Sequence, residues 1–526
     1  MRATNDLNLS NRTKTFQQLE AQVFDLLVIG GGITGAGIAR DAALRGLSVA
    51  LIEAQDFASG TSSRSSKMIH GGLRYLVKGD IPIVKESASE RATLHRIAPH
   101  LAKQSQYIIP VSSLVSELTL RVALWVYERL GRVAAVDHHQ VWNASELARR
   151  EPLIDVRGLR GAVVYPEYLT DDARLTIATI RSAFASGACV SSYTKATAIR
   201  KSETFSVLIA PTLPGEVGEY EVCAKAVVNA AGPWVDAVCR LDQPTQVPRL
   251  ALSRGVHIVV AHSRLPVNHT VVMSTPDNRR IFAVPLGGYT YLGTTDDYFP
   301  DSQYWPPVTE EDIDYLFATT NQKMPDAKLT KADIVSVWSG IRPLVGGDND
   351  KAAKELSRKD EVWESVSGML SVGGGKLSAY RAMAERIVDR VVSDNGFSAQ
   401  ACQTHERPLP GGEQPVDPAT LDVASTMAAE RLARLYGTEA SQVVAAGANL
   451  CAEVRHAVHS EGALRLEDYW ARRSSRAWFD EGAGIPVLEA AAASMADMLD
   501  WDSDRQQMEI DNCKLIDTES RKAFSE

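Results

Sequence analysis

Phe24-Asp25-Leu26-Leu27-Val28-Ile29-Gly30-Gly31-Gly32-Ile33-Thr34-Gly35 is the stretch that decides the fold. A short apolar run ends at Gly30, and a helix-period pattern follows through Ile33, Ile38, Ala42 and Leu44 until Arg45-Gly46 stops it. Ser48 to Ile52 is a second apolar run, closing on Glu53. Strand, glycine turn, helix and strand make one βαβ unit over residues 24–53. Within it, Gly30-x-Gly32-x-x-Gly35 places each glycine for a reason: a tight turn, room for a diphosphate at the backbone, and close packing of helix on strand. The N–H groups at the helix start favour an anion. Glu53 stands at the offset of a ribose ligand, and its charge disfavours a 2′-phosphate, so FAD or NAD is preferred to NADP. A glycine turn of purely structural use is the competing account of the bare motif.

Further along, Ala226–Val228 and Met369–Val372 are short apolar runs that end in Asn229-Ala230-Ala231-Gly232 and Gly373-Gly374-Gly375. They are expected as returning strands of the same sheet. Between them, Val256–Val260, Ile281–Val284 and Tyr289–Gly293 have the β-branched and aromatic content of an antiparallel layer. Past Pro408-Leu409-Pro410-Gly411-Gly412 the composition turns to Ala, Leu, Glu and Arg, which predicts a helical C-terminal domain with charged, solvated faces.

The chain has 526 residues, 45% of them hydrophobic, which is enough for two or three packed units. A formal net charge of -9 argues against nucleic acid as a partner. The six cysteines, Cys189, Cys223, Cys239, Cys402, Cys451 and Cys513, are scattered without a CxxC, so no metal site or disulfide framework is signalled and a reducing compartment is the simplest reading. Residues 1–22 are polar and lack the apolar core of a secretory signal. No segment offers about 18 uncharged apolar residues for a membrane span.

After Glu53 comes Gly60-Thr61-Ser62-Ser63-Arg64-Ser65-Ser66-Lys67-Met68-Ile69-His70-Gly71-Gly72-Leu73-Arg74-Tyr75-Leu76, rich in glycines and hydroxyls that can wrap a bulky ligand. It resembles the flavin-contacting segment of the FAD-dependent glycerol-3-phosphate dehydrogenases. Asn229-Ala230-Ala231-Gly232-Pro233-Trp234, Gly293-Thr294-Thr295-Asp296, Ser339-Gly340-Ile341-Arg342-Pro343-Leu344 and Gly373-Gly374-Gly375-Lys376-Leu377-Ser378-Ala379-Tyr380-Arg381 fit the same family in order and spacing. The likeness runs from about Asp25 to Arg381, and more loosely through Met495–Ile510. Two departures stand out. A small residue replaces an aromatic within Val372-Gly373-Gly374-Gly375-Lys376, which would loosen the flavin pocket slightly, and no DxDxDG calcium loop is present, which makes the bacterial form the nearer match.

The resemblance implies an α/β fold: a Rossmann-like FAD-binding domain of glutathione-reductase/D-amino-acid-oxidase type, an antiparallel-sheet substrate domain and the helical C-terminal domain. The expected boundaries are 22–100, 160–245 and 335–400 for the discontinuous FAD-binding domain, 101–159 and 246–334 for the substrate domain, and 408–526 for the helices. The expected cofactor contacts are Gly30, Gly32, Gly35, Glu53, Thr61, Ser62, Ser63, Ser66, Lys67, His70, Gly71 and Gly72. Asn229, Gly232, Trp234, Gly340, Arg342, Gly374, Gly375, Lys376, Leu377 and Ser378 complete them. The implied reaction is oxidation of glycerol 3-phosphate to dihydroxyacetone phosphate, with electrons leaving for a membrane quinone.

Oxidising a secondary alcohol requires a proton acceptor and a grip on the phosphate. His70 is the leading base, since its ordinary pKa lies near working pH; a buried imidazole tying two loops together is the alternative. His257 is a second candidate. For the phosphate dianion, guanidinium forks suit best, and Arg74, Arg342 and Arg358 are the candidates, with Tyr75, Thr295 and Asp296 beside them. Lys376, at the head of a helix, would stabilise a reduced, anionic flavin. No iron–sulfur or haem signature accompanies these residues. The segment Leu114–Leu130, with Trp125, Tyr127, Arg121 and Arg129, suits a helix lying in a bilayer interface, a buried core helix being the rival account. The implied location is therefore cytoplasmic, peripherally attached to the inner membrane. Two other functions stay open: an amine or amino-acid oxidase using oxygen, and a non-catalytic flavoprotein. The C-terminal domain carries no assignable chemistry and is open to homodimer contacts.

Overall fold

A computed structural model describes residues 6–69, 81–131, 133, 135–346 and 360–525. The quoted stretch forms strand β1 (Val23–Ile29), helix α1 (Ile33–Leu44) and strand β2 (Val49–Ile52). β1 is apolar on both faces because both are covered: Leu26, Leu27 and Val28 are fully buried. Strand Tyr220–Asn229 runs parallel to β1, with Ile29 opposite Asn229, and Leu370–Gly373 runs parallel to Tyr220–Asn229 in turn. β2 and Cys189–Ser191 extend the parallel sheet on the other side. Three strand ends, at Gly30, Ala230 and Gly374, are thereby brought to one edge, where such sheets bind ligands.

Helix α1 is buried against Asp172–Ala185 and Tyr380–Asn395. Ala36, Ala39 and Ala42 share a core cluster with Ile180, Ala183, Ala384 and Ile387. Small residues on this face let three helices approach each other closely.

A second, ten-stranded sheet packs beside the first. Its centre is Leu250–Ala261, paired antiparallel with Ile334–Val345 and with Tyr289–Gly293. Gly161–Leu169 lies in this sheet too, between Met68–Ile69 and Lys103–Val111. Sequence reading assigned 160–245 and 335–400 to the FAD-binding domain; within those spans the strands Gly161–Leu169 and Ile334–Val345 pair in the second sheet. An apolar strand carries no mark of which sheet it will join, since register and partner are set by contacts distant in sequence.

Helices Thr426–Tyr436, Leu450–His459, Leu488–Leu499 and Ser503–Arg521 follow. Several charges of the segments between these helices are not solvated. Arg472 and Arg473 both pair with Asp56, which follows β2, Arg174 pairs with Glu461 at 2.5 Å, and Arg181 with Glu439 at 2.7 Å. Each of the four pairs joins residues more than 250 positions apart, so composition alone reads them as surface. Paired and hydrogen-bonded, they can be buried.

Among the described residues no helix is long and apolar enough to cross a membrane. Helix Leu114–Gly131 buries Leu124 and Tyr127 but exposes Leu114, Val115, Leu118, Val122 and Trp125. The spacing of those five makes an outward apolar stripe.

Candidate active site

The three strand ends open into a cavity of about 1290 Å³, counting its mouth. Gly30 has φ +114°, and a Cβ there would sit 2.5 Å from the Ala230 carbonyl oxygen. At Gly35 a Cβ would lie 1.9 Å from the Gly30 oxygen, so only glycine allows the helix to start against the strand. Gly32 is different: a Cβ there meets only Ser62 Oγ, at 3.2 Å, and the residue lines the cavity. The Ile33 N–H donates to Ser62 Oγ at 2.9 Å, and Thr61 donates to the Ile341 carbonyl at 2.6 Å.

Glu53 lines the same cavity; its carboxylate accepts from Gly31 N at 2.7 Å and Gln55 N at 2.9 Å. Burial raises its pKa against the opposing effect of those two bonds. Gly232, at φ +55°, has open space where a side chain would be, and Trp234 stacks on Tyr304 with centroids 4.3 Å apart. A carboxylate, an amide-rich helix start, a ring of hydroxyls and glycine-lined walls form the donor set an adenine dinucleotide requires, so these residues fit FAD.

The far wall comes from the second sheet. Gly340, Ile341 and Arg342 line it, with Gly374, Gly375, Lys376 and Leu377 from the first sheet. A Cβ at Gly340 would lie 2.4 Å from the Arg64 carbonyl oxygen, so this glycine admits the backbone of the hydroxyl-rich segment itself. Arg342 reaches back over its own sheet: its guanidinium donates to Thr294 Oγ1 at 2.9 Å, to the Thr295 carbonyl at 3.3 Å, and pairs with Asp296 at 3.0 Å. Thr295 and Asp296 therefore hold Arg342 and do not themselves line the cavity. The Thr295 hydroxyl is occupied by the Val256 N–H, at 3.1 Å.

His257 is buried beneath this wall. Its ring stacks on Trp338 at 4.6 Å, and Nε2 lies 2.9 Å from Ser66 Oγ, which does line the cavity. Burial, then the cations of Arg342 and Lys67, hold its pKa well below the ordinary histidine range. Ser63, Lys67, Asn229 and Ser378 are buried off the cavity. Lys67 Nζ pairs with Asp172 at 2.6 Å, and Asn229 Nδ2 donates to the Val235 carbonyl at 3.0 Å. His70, Gly71, Gly72, Arg74, Tyr75 and Arg358 lie outside the described residues.

Two participants were not singled out by sequence reading. Arg64 lines the cavity with its guanidinium 4.0 Å above the Trp305 ring. A charged residue inside a serine run was its only signal. Asp172 also lines the cavity, and accepts the Ser65 N–H at 2.8 Å as well as Lys67. Asp171-Asp172 before a helix reads as a cap, which is what Asp171 does for Arg174 N. Nothing local marks the second carboxylate as a tie to a segment a hundred residues away.

Residues 25–381 match the family model for FAD dependent oxidoreductases, and 402–506 match the C-terminal domain of alpha-glycerophosphate oxidase. The aerobic glycerol-3-phosphate dehydrogenase of Staphylococcus haemolyticus is 36% identical to this chain, covering 95% of each. The chain belongs to the FAD-dependent glycerol-3-phosphate dehydrogenase family. FAD is its cofactor. The solved glycerol-3-phosphate dehydrogenase of Bacillus halodurans complexed with FAD superposes with a TM-score of 0.82 at 32% identity, covering 99% of both chains. Glycine oxidase of Geobacillus kaustophilus shares only the fold, with a TM-score of 0.54 at 21% identity over 70% of this chain and 95% of that one. The expected α/β class with its helical C-terminal domain therefore stands.

Proposed function

We propose that this chain oxidises sn-glycerol 3-phosphate to dihydroxyacetone phosphate and delivers the electrons to a membrane quinone. Bound FAD supplies a two-electron acceptor for the carbinol carbon. The observation that carries the reading is that Arg342 and Lys376, from different sheets, both line the dinucleotide cavity. Two cations there suit a phosphate dianion and a cofactor ring that gains negative charge. Asp296, Thr294 and Thr295 fix the direction of the Arg342 fork before substrate arrives, which lowers the cost of orienting it. Arg74 and Arg358 are its proposed partners on the phosphate, with Tyr75 adding a hydroxyl.

For the hydroxyl proton the proposed acceptor is His70. His257 is ill suited to that task, because its surroundings oppose a second positive charge. Its place against Ser66 makes it a positioning residue: neutral imidazole and hydroxyl keep the Ser66 oxygen turned to the cavity wall. The exposed stripe of helix Leu114–Gly131, with Arg121 on the same helix and Arg129 beside Trp125, is proposed to rest on the cytoplasmic face of the inner membrane. Amine and amino-acid oxidases share the fold, but the full-length relatives named above are glycerol-3-phosphate dehydrogenases, which favours the phosphorylated alcohol.

Anaerobic addition of glycerol 3-phosphate should bleach the flavin absorbance of the purified holoenzyme, whereas a panel of amino acids should not. Bleaching by an amino acid alone would replace this reading with the oxidase one, and a flavin that no substrate bleaches would leave the non-catalytic reading.

A further inference from the structure

Strand Asp297–Tyr298 and helix Glu310–Lys323 are joined by a strap that reaches from the second sheet to the cofactor elements of the first. Both of its ends are fixed. The Phe299 N–H donates to the Leu252 carbonyl at 3.0 Å, and the Pro307 carbonyl accepts from Arg254 Nη1 at 2.8 Å. Between them, residues 300–306 make no backbone hydrogen bond with the described residues. Pro300 and Pro306 have no N–H to give.

Two aromatic side chains hold the middle of the strap. Tyr304 stacks on Trp234 with centroids 4.3 Å apart, and Trp305 lies 4.0 Å beneath the Arg64 guanidinium. Trp234 and Arg64 both line the cofactor cavity. Trp234 is also pressed against Gly60, where an added Cβ would lie 2.9 Å from its ring. Tyr304 and Trp305 are half-buried while Gln303 beside them is exposed, so the strap lies at the surface with its aromatic side turned inward. Tyr304 shares a narrow cleft with Thr61, Trp234 and Ile341, and each of those three also lines the cofactor cavity. They belong to three different walls: the hydroxyl-rich segment, the turn after Tyr220–Asn229, and strand Ile334–Val345. The strap therefore bridges the seams between walls that no single element holds together. Burial, and then the Glu53 carboxylate, push the Tyr304 phenol above the ordinary tyrosine range, so the phenol stays protonated within electrostatic reach of a carboxylate of the cavity.

We infer that the strap is a clasp on the cofactor, latched by the stack of Tyr304 on Trp234, and that FAD enters and leaves when this stack parts. A segment tied into a sheet opens only when the sheet does. One with fixed ends, no backbone bonds and two aromatic contacts lies at the low end of local stability and can swing about residues 299 and 307 while both sheets stay folded. Parting the stack frees Trp234 and, through it, the turn that closes against Gly60. Tyr304 is thus a positioning residue for the cofactor: it acts through Trp234 and the walls that Trp234 joins. The inference goes beyond the reaction proposed above, and it depends on neither the alcohol nor the electron acceptor.

The test is the rate of cofactor exchange. Full-length holoenzyme is mixed with excess isotopically labelled FAD, and the label bound to protein is followed by rapid gel filtration. Exchange should be about tenfold faster in Tyr304→Ala, the size of effect expected from losing an aromatic pair together with its burial, and within about twofold of wild type in Tyr304→Phe, which keeps the stack. Uptake of FAD by the flavin-free full-length protein, read from FAD fluorescence, should quicken in Tyr304→Ala as well, because the same stack must part for entry. Faster release with unchanged uptake would overturn the clasp and leave Tyr304 as ordinary packing around the site. Equal acceleration in Tyr304→Phe would overturn the stack as the latch. Should Tyr304→Ala fail to fold, Tyr304→Leu keeps an apolar cover without a stack and is read in the same way; unchanged exchange in it would overturn the inference outright.

Discussion

Lys67 and Asp172 form a buried ion pair at 2.6 Å, and the other oxygen of the same carboxylate accepts the Ser65 N–H at 2.8 Å. One side chain thereby anchors two points of the segment that runs from Gly60 along the cofactor cavity. Lys67 itself stands at φ +53°, a backbone conformation that a lysine adopts only when its surroundings insist. Asp171, the preceding residue, accepts the Ser475 hydroxyl at 2.7 Å, so adjacent carboxylates tie the cofactor segment and the C-terminal domain to one helix start.

Removing one partner of this pair leaves a buried charge. Asp172→Ala should destabilise the protein by about 3–5 kcal/mol and release FAD, read by denaturant unfolding and by flavin content after gel filtration. The double variant Lys67→Met/Asp172→Leu should recover most of the stability without restoring tight FAD binding, because the Ser65 N–H still lacks its acceptor. Full FAD binding in the double variant would show that the pair serves stability alone.

Glycine substitutions separate turn from ligand. Gly35→Ala brings a Cβ to 1.9 Å from the Gly30 oxygen and should prevent the βαβ unit from closing, yielding little folded protein. Gly32→Val meets only Ser62 and faces the cavity, so the expected product is folded and colourless. Circular dichroism together with the visible spectrum distinguishes the two outcomes; a yellow Gly32→Val protein would remove the diphosphate from this turn.

The C-terminal domain should detach in acid. Burial alone would raise the Glu461 pKa, but Arg174 and His456 outweigh it and hold the carboxyl below its ordinary value of 4.5. A depressed carboxylate contributes stability that is present above the unfolded value and lost as pH falls through the folded one. Stability should therefore decline as pH drops below about 4.5, and Glu461→Gln should flatten that decline while lowering stability at pH 7. Thermal unfolding followed across pH in both proteins tests the sign.

How much of this was legible in the sequence depends on distance along the chain. The unit from Phe24 to Glu53 was readable because its cues are local: a glycine turn, a helix period and a carboxylate at fixed spacing. The returning strands that end just after Val228 and Val372 were readable from the small residues that follow them. Lys67 and Asn229 sit in the right motifs, yet their side chains turn away from the cavity, since a motif gives position and not the direction of a side chain. Thr295 and Asp296 were expected at the substrate and are found holding Arg342, because the connection that carries them, between strands Tyr289–Gly293 and Asp297–Tyr298, is brought to residue 342 only through their shared partner strand Leu250–Ala261. Asp172 with its partners and the Asp56–Arg472–Arg473 cluster are assembled from segments a hundred to four hundred residues apart, and no local pattern announces them.

Trp125 is 57% exposed on an apolar stripe with Leu118 and Val122, an arrangement that leaves a large ring in water unless something covers it. If a bilayer does, Trp125→Asp replaces a favourable interfacial ring by a charge, and binding to vesicles containing anionic lipid should fall by about tenfold or more, since about 1.4 kcal/mol suffices for a decade. Flotation with such vesicles measures it, and the anaerobic bleaching rate should not change because the helix does not line the cofactor cavity. Equal flotation of both proteins would remove the helix from the membrane.

Arg342 carries the heaviest burden of the functional reading. Its fork is held by Thr294, Thr295 and Asp296, so the charge is aimed before any substrate binds, and the geometry depends on a planar group with several donors. If Arg342 grips the phosphate as proposed, Arg342→Ala removes charge-assisted hydrogen bonds worth about 1.5–3 kcal/mol each, and KM for glycerol 3-phosphate should rise by about 100-fold or more. Lysine keeps the charge but cannot span the same three partners, so Arg342→Lys should recover only part of the loss. Asp296→Asn should act in the same direction more weakly, since it frees the fork without removing it. Flavin content measured alongside separates the two roles of this wall: lost activity with full flavin places Arg342 on the substrate, and lost flavin places it on the cofactor.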